Sequence, residues 1–134
     1  MKITNATDYA IRAIIYMAQN KEKKSFMRSE LSRECGIPDS FLGKILQALK
    51  KSEILKSNRG KFGGYSISKN LEDITFYDII TAVEGNIYIN ECLNDDEICN
   101  KTKECTIKSA LNEINKDLVE NLKNYNIQNL ILKK

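Results

Sequence analysis

Gly36-Ile37-Pro38-Asp39-Ser40-Phe41-Leu42-Gly43-Lys44-Ile45-Leu46-Gln47-Ala48-Leu49-Lys50-Lys51, followed by Ile54-Leu55-Lys56-Ser57, Asn58-Arg59-Gly60-Lys61-Phe62-Gly63-Gly64 and Tyr65-Ser66-Ile67-Ser68, is the stretch on which the fold turns. Phe41, Leu42, Ile45, Leu46 and Leu49 recur at helical spacing and predict a helix from about Asp39 to Lys51 with one buried face. Ser40, Gly43, Lys44, Gln47 and Lys51 fall on the opposite face. Asp39 in the first turn and Lys50 and Lys51 in the last follow the charge order that the helix dipole favours. Upstream, Gly36 can take the left-handed position that ends a short helix from about Arg28 to Cys35. Helix, tight turn and a second helix with a polar, basic outer face make a helix-turn-helix pattern. The two short apolar-alternating runs that follow read as a hairpin with a glycine-rich tip. Directly behind a recognition helix such a hairpin is a wing, whose small tip residues let the backbone approach phosphates. A plain tight turn would explain the glycines but not Arg59 and Lys61 beside them.

Outward from this centre, an N-terminal helix is expected from about Thr7 to Asn20, with Thr7 or Asp8 near its cap. Its apolar residues, Tyr9, Ile11, Ala13, Ile14, Ile15, Met17 and Ala18, lie nearly all round it, which suggests packing both within its own domain and against something else, such as a second subunit. Downstream, Thr75 followed by Asp78 resembles a capping box for a helix from about Phe76 to Glu84, ended by Gly85. The segment 86–104 reads as irregular, polar and acidic. A long helix from about Thr106 to Lys123 then carries Ile107, Leu111, Ile114, Leu118 and Leu122 in a stripe close to a coiled-coil seam, and dimerisation through it is favoured over its merely covering the domain. The tail from Ile127 to Leu132 adds a last short helix. The expected architecture is mainly α: a winged helix-turn-helix DNA-binding domain over 1–85 with a β-hairpin wing, a cysteine-containing loop over 86–104, and a long C-terminal dimerisation helix with its tail over 105–134.

The chain has 134 residues and a formal charge of +3, which suits one modest core. That small charge hides a division: residues 21–69 sum to +7 and residues 71–105 to −7. A basic middle against an acidic later segment fits a nucleic-acid face on an acidic body, although charge alone fits a solvated run equally well. No apolar run is long enough to span a membrane. The amphipathic start, broken by Asp8 and Arg12, does not read as a signal peptide, so a cytoplasmic, reducing location is expected. The chain contains no His. The commonest general base and nitrogen metal ligand are therefore missing, which excludes triad hydrolases and His-containing zinc sites.

Four Cys remain to be placed. Cys92, Cys99 and Cys105 are spaced C-x6-C-x5-C across the irregular segment. Six or seven extended residues reach about 20 Å, so the three thiolates can turn onto one centre. Cys105 at a helix N-terminus also favours the thiolate form. Soft thiolates suit an iron-sulfur cluster, which needs a fourth ligand. Structural zinc, a disulfide switch and inert thiols remain as rivals; zinc lacks its usual short C-x2-4-C spacing here. Cys35 reads as a small buried residue of the helix-turn-helix. A thiol oxidoreductase is disfavoured, because there is no C-x-x-C motif, no His base, and the helix-turn-helix and wing would be left without a purpose.

The chain resembles the Rrf-two family of bacterial winged-helix regulators nearly end to end. The resemblance is carried by Thr7-Asp8-Tyr9-Ala10; by Gly36-Ile37-Pro38, Ser40-Phe41-Leu42 and Lys44-Ile45-Leu46; by Arg59-Gly60, Gly63-Gly64-Tyr65; by Asp78-Ile79-Ile80 and Val83-Glu84-Gly85; and by the three Cys. It implies a homodimer that binds a double-stranded DNA operator, usually as a repressor, with an iron-sulfur cluster on Cys92, Cys99 and Cys105 sensing nitric oxide, redox state or iron-sulfur status. IscR-like members carry a His three residues after the last Cys, where Lys108 stands here. NsrR-like members recruit an Asp from the partner subunit's first helix, and Asp8 stands at the matching place; completing the helix dipole is its other reading. A 4Fe-4S cluster is thus favoured over 2Fe-2S, with the Cys92–Cys99 interval one residue longer than usual. Gly43 replaces an acidic residue of the IscR-like recognition helix, so operator sequence does not transfer. The expected DNA-contacting set is Arg28, Ser40, Phe41, Lys44, Gln47, Lys51, Arg59, Gly60, Lys61, Gly63, Gly64 and Tyr65. A cluster-free regulator answering to a metabolite, a partner protein or thiol oxidation is the alternative.

Overall fold

Thr4, not Thr7, opens the first helix of the computed structural model, because its Oγ1 accepts the N–H of Thr7 and closes the first turn. The structure describes residues 3–61, 63–94 and 105–133. Helix α1 spans Asn5–Gln19, α2 Arg28–Cys35 and α3 Asp39–Lys51; strands β1 (Leu55–Asn58) and β2 (Gly64–Ile67) follow. A 3-10 turn at Leu71–Asp73 leads to α4 (Phe76–Glu84), and a second one at Glu91–Leu93 precedes α5 (Thr106–Lys123) and α6 (Ile127–Leu132). The cap expected at Thr7 or Asp8 is therefore corrected to Thr4, and α1 begins at Asn5; Thr7 is fully buried, with its hydroxyl spent on the carboxylate of Glu84 at 2.7 Å.

The core sits where α1, α3 and α4 meet. Ala10, Ile14 and Met17 from α1, Leu42, Leu46 and Leu49 from α3, and Ile79 from α4 are buried together with Leu31 of α2 and Ile127 of α6. Ile11 and Ile15, on the flanks of α1, are half-buried against the same cluster. Much of the apolar circumference of α1 is therefore used inside one chain. The stripe on α3 is buried as predicted except for Phe41, which is 50% exposed and leans edge-on against Tyr9 at 6.1 Å. Its place at the margin of the stripe carries it past the rim of the core.

Gly36 has φ +65°, the left-handed cap that lets α2 stop and the chain turn into α3. The hairpin pairs Leu55 with Ile67 and Asn58 with Gly64 in antiparallel register. Phe26 joins it from the α1–α2 connection, exchanging two backbone hydrogen bonds of 2.8 Å with Tyr65. At Gly64, φ is +147°, and a Cβ would lie 2.3 Å from the Phe26 carbonyl oxygen, so only glycine permits this approach. The Thr75–Asp78 capping box forms as predicted. The chain end is sewn to the start of α4 by Phe76 N–H to Tyr125 O and Ile127 N–H to Ile74 O, both 2.9 Å.

Candidate nucleic-acid interface and cysteine loop

Ser40, Lys44, Gln47 and Lys51 are all exposed, and their steps of four, three and four residues put them on one outward face of α3. Phe41 stands beside them. The anchor of this helix is a contact that sequence reading missed: Arg28, at the start of α2, forks onto Asp39, at the start of α3, through Nε–Oδ1 and Nη2–Oδ2 bonds of 3.0 Å each. The guanidinium also lies over Gly43, where a Cβ would come 3.0 Å from Nη1. Arg28 is thus committed within the chain, and Gly43 leaves the room it needs. No local motif announces such a pair, because each residue has its own helix-terminal explanation.

At the wing, Arg59, Gly60 and Lys61 are exposed at the tip. Gly63, Gly64 and Tyr65 are half-buried, and their backbone is engaged inside the chain: Gly63 N–H closes the turn on Gly60 O at 3.0 Å, and Gly64 and Tyr65 lie against Phe26. The last two glycines of the motif therefore shape the wing from within, while Arg59, Gly60 and Lys61 form its outer surface. Phe62 lies outside the described residues.

The cysteine segment is described at its two ends. Cys92 sits in the Glu91–Leu93 turn, which packs against α5, and Cys105 is the residue that precedes the first turn of α5; both are half-buried. Cys99 lies outside the described residues, and among those described no three acidic or Cys side chains gather into a metal site. Soft thiols on two adjoining elements, one of them at a helix N-terminus, have the donor chemistry of a thiolate-held cluster. The loop is moored by Asn115 of α5, whose Nδ2 donates to Ile87 O at 3.1 Å and whose Oδ1 accepts from Ile89 N–H at 3.0 Å. Asp8 is half-exposed on α1 and paired with Arg12 at 2.9 Å. Cys35 is half-buried, and burial pushes its thiol above the usual cysteine range, which disfavours the reactive thiolate.

The stripe on α5 divides. Leu111, Leu118 and Leu122 are half-buried on the side that also carries Asn115, whereas Ile107 and Ile114 are 69% and 54% exposed. Among the described residues no helix is long and apolar enough to cross a membrane.

Helix-turn-helix, basic wing and outward polar face together define a winged-helix DNA-binding regulator. The chain belongs to the Rrf2 (Rrf-two) family of iron-dependent transcriptional regulators, whose model matches residues 3–133. It is 33% identical to the helix-turn-helix-type protein YffB of Lactococcus lactis over 132 residues, 95% of this chain and 85% of that one. Its fold is similar to that of IscR from T. potens (TM-score 0.78, 21% identity, 99% of this chain and 88% of that one). It is similar also to that of CymR, the global cysteine regulator of B. subtilis (TM-score 0.79, 22% identity, 100% and 98%). The family is one of transcriptional regulators, in line with the helix-turn-helix and basic wing read from the sequence.

Proposed function

We propose that the chain acts as a homodimeric repressor whose hold on a near-palindromic operator is set by an iron-sulfur cluster on Cys92, Cys99 and Cys105, with Asp8 from the partner subunit as fourth ligand. The observation that carries this reading is the position of Cys105 directly before α5, with Cys92 in the turn packed on that same helix. When bound, the cluster would supply a centre reactive to nitric oxide, oxygen and iron shortage. The chain's own residues do the rest. Asn115 ties the loop to α5, the exposed Ile107 and Ile114 together with Leu111, Leu118 and Leu122 offer α5 as a dimer seam, and α4 joins α5 to the DNA-binding core. A change in the loop is thereby transmitted to the spacing of two recognition helices, which must match successive major grooves.

On DNA, Ser40, Lys44 and Gln47 would meet base edges or nearby phosphates, and Arg59 and Lys61 the backbone or minor groove. If about five phosphates per subunit are neutralised, log affinity falls against log salt with a slope of about −9 for the dimer. A slope near zero would remove the basic surface from consideration. Anaerobic purification with absorption spectroscopy and iron and sulfide assay decides the cofactor: we expect a coloured protein containing both, in a 4Fe-4S form rather than 2Fe-2S. A colourless, zinc-loaded protein with normal operator binding would end the cluster reading. Regulated DNA binding that survives Cys92, Cys99 and Cys105→Ala would favour the cluster-free alternative.

A further inference from the structure

One concavity among the described residues has no part in the DNA face or the cysteine loop. It is a groove of about 1050 Å³ between the end of α1, the back of the hairpin and the Leu71–Asp73 turn. Its floor is apolar, made of Met17, Ala18 and Phe26, all nearly fully buried, with Ile67 and Leu71 half-buried beside them. Its rim is cationic. Lys21, Lys24, Lys56 and Lys69 line it and have no ion-pair partner among the described residues. Lys23 joins them but is engaged by Glu30 and lies over the Phe26 ring at 5.4 Å. Glu72 is the one carboxylate on the lining among the described residues. Four unpaired ammonium groups around an apolar floor repel each other and gain from an anion that brings its own apolar body.

One wall is fixed by Asn58, whose Nδ2 donates to Ser25 Oγ at 3.2 Å and to Ser66 Oγ at 3.1 Å. Asn58 is the last residue of β1, directly before the Arg59-Gly60-Lys61 tip. Asn58 is itself part of the lining, so a molecule seated against that wall meets the residue from which the wing tip springs.

We propose that this groove is an effector site for a small organic anion, a multiply charged phosphate or carboxylate compound with an apolar ring or chain, and that its occupation steadies the wing. Its volume suits a molecule of metabolite size. The binding part of the proposal is independent of any cluster, so it is measured on protein prepared with iron and without it. The probe is 8-anilinonaphthalene-1-sulfonate, an amphipathic anion whose fluorescence rises in apolar surroundings, with pyrophosphate as competitor.

The expected result is saturable binding at one probe per chain, weakened by pyrophosphate. It should fall by about tenfold or more in Lys56→Glu/Lys69→Glu and be kept in Lys56→Arg/Lys69→Arg. Both positions are exposed, so the urea midpoint of each variant should match that of the parent, which separates loss of the site from loss of the fold. The side-chain amide resonance of Asn58 should shift on binding. No saturable binding by the parent protein overturns the proposal, as does binding unchanged by the charge reversals. Stoichiometric displacement of the probe by operator DNA also overturns it, because the groove would then be an extension of the phosphate-binding surface.

Discussion

The guanidinium of Arg28 and the carboxylate of Asp39 meet in a two-bonded fork that joins the first residue of α2 to the first residue of α3. Both side chains are more than half exposed, so the pair adds less than about 1 kcal/mol to stability. Its value is directional, since a planar fork fixes an angle where a point charge would not. Arg28→Ala and Asp39→Ala should each weaken operator binding several-fold, with little change in the urea midpoint, and the double variant should be no weaker than the worse single one. Lys at position 28 should not rescue. If Arg28 instead meets phosphate on its own account, Asp39→Ala will bind DNA as tightly as the parent or more so, and the cycle will be additive.

Two wing glycines should respond very differently to the same change. Gly64→Ala places a Cβ 2.3 Å from backbone oxygen at a positive φ and should cost about 3 kcal/mol or more, or block folding. Gly60 has φ +105° but open space around it, so Gly60→Ala should cost only about 1 to 2 kcal/mol. Urea unfolding of the two variants gives the comparison. Equal costs would mean that the Phe26–Tyr65 bridge does not constrain the wing.

Those glycines also show what could be read before the structure. Local signals were legible: α2, α3, α4, α5 and α6 occupy the spans their caps and periodicities predict, because Gly36, the Thr75–Asp78 box and the apolar spacings act within a few residues. What long-range contacts decide was not. Thr7 was mistaken for a cap because its partner, Glu84, is far along the chain. Phe41 passed for core because periodicity cannot say where a stripe meets its rim. In the candidate site, the outward set on α3 and the Arg59-Gly60-Lys61 tip followed from pattern, whereas the Arg28–Asp39 fork and the Asn115 mooring join residues that carry no shared motif. The glycine-rich tip suggested approach to phosphate, but Gly63 and Gly64 also answer to turn closure and to Phe26.

Acid should loosen the joint between α1 and α2. Glu30 accepts hydrogen bonds from Lys23 Nζ and, at 3.1 Å, from Tyr16 Oη. Lys23 above all holds its carboxyl below the usual glutamate range, against the opposing effect of burial. A folded value below the unfolded one means that the stabilisation is complete above the unfolded value, about 4.3, and is lost as pH falls through the folded value. The stability difference between the parent and Glu30→Gln should therefore be flat from about pH 8 to pH 5 and shrink below about pH 4. It should stay under about 1 kcal/mol, because Lys23 is exposed. Urea midpoints across that range provide the test, and a difference that grows in acid would contradict the assignment.

Ile107 and Ile114 lie seven residues apart, two turns along one side of α5, and expose most of their surface. If that side is the dimer seam, Ile107→Lys/Ile114→Lys should shift the protein towards monomer in sedimentation while leaving helix content unchanged. Operator affinity should then fall steeply, because two half-sites are held by one dimer. A variant that stays dimeric places the seam elsewhere.

Asn115 offers the sharpest view of how the cysteine loop is governed. Its amide satisfies one backbone donor and one backbone acceptor at Ile89 and Ile87, which α5 cannot satisfy with an apolar side chain in the same place. Asn115→Leu keeps the branched shape of the side chain and removes both bonds, so it should free the segment leading to Cys92 at a cost of about 1 to 3 kcal/mol in local stability. In metal-free protein, Cys92 should then react faster with iodoacetamide while Cys35, half-buried and with its thiolate disfavoured, stays slow. In protein that carries iron, the same variant should lose it to chelator sooner than the parent. Faster alkylation without faster iron loss would leave the mooring intact as structure but detach it from cluster retention. Neither change would show that the segment is held by other contacts and that Asn115 is not the link between loop and helix.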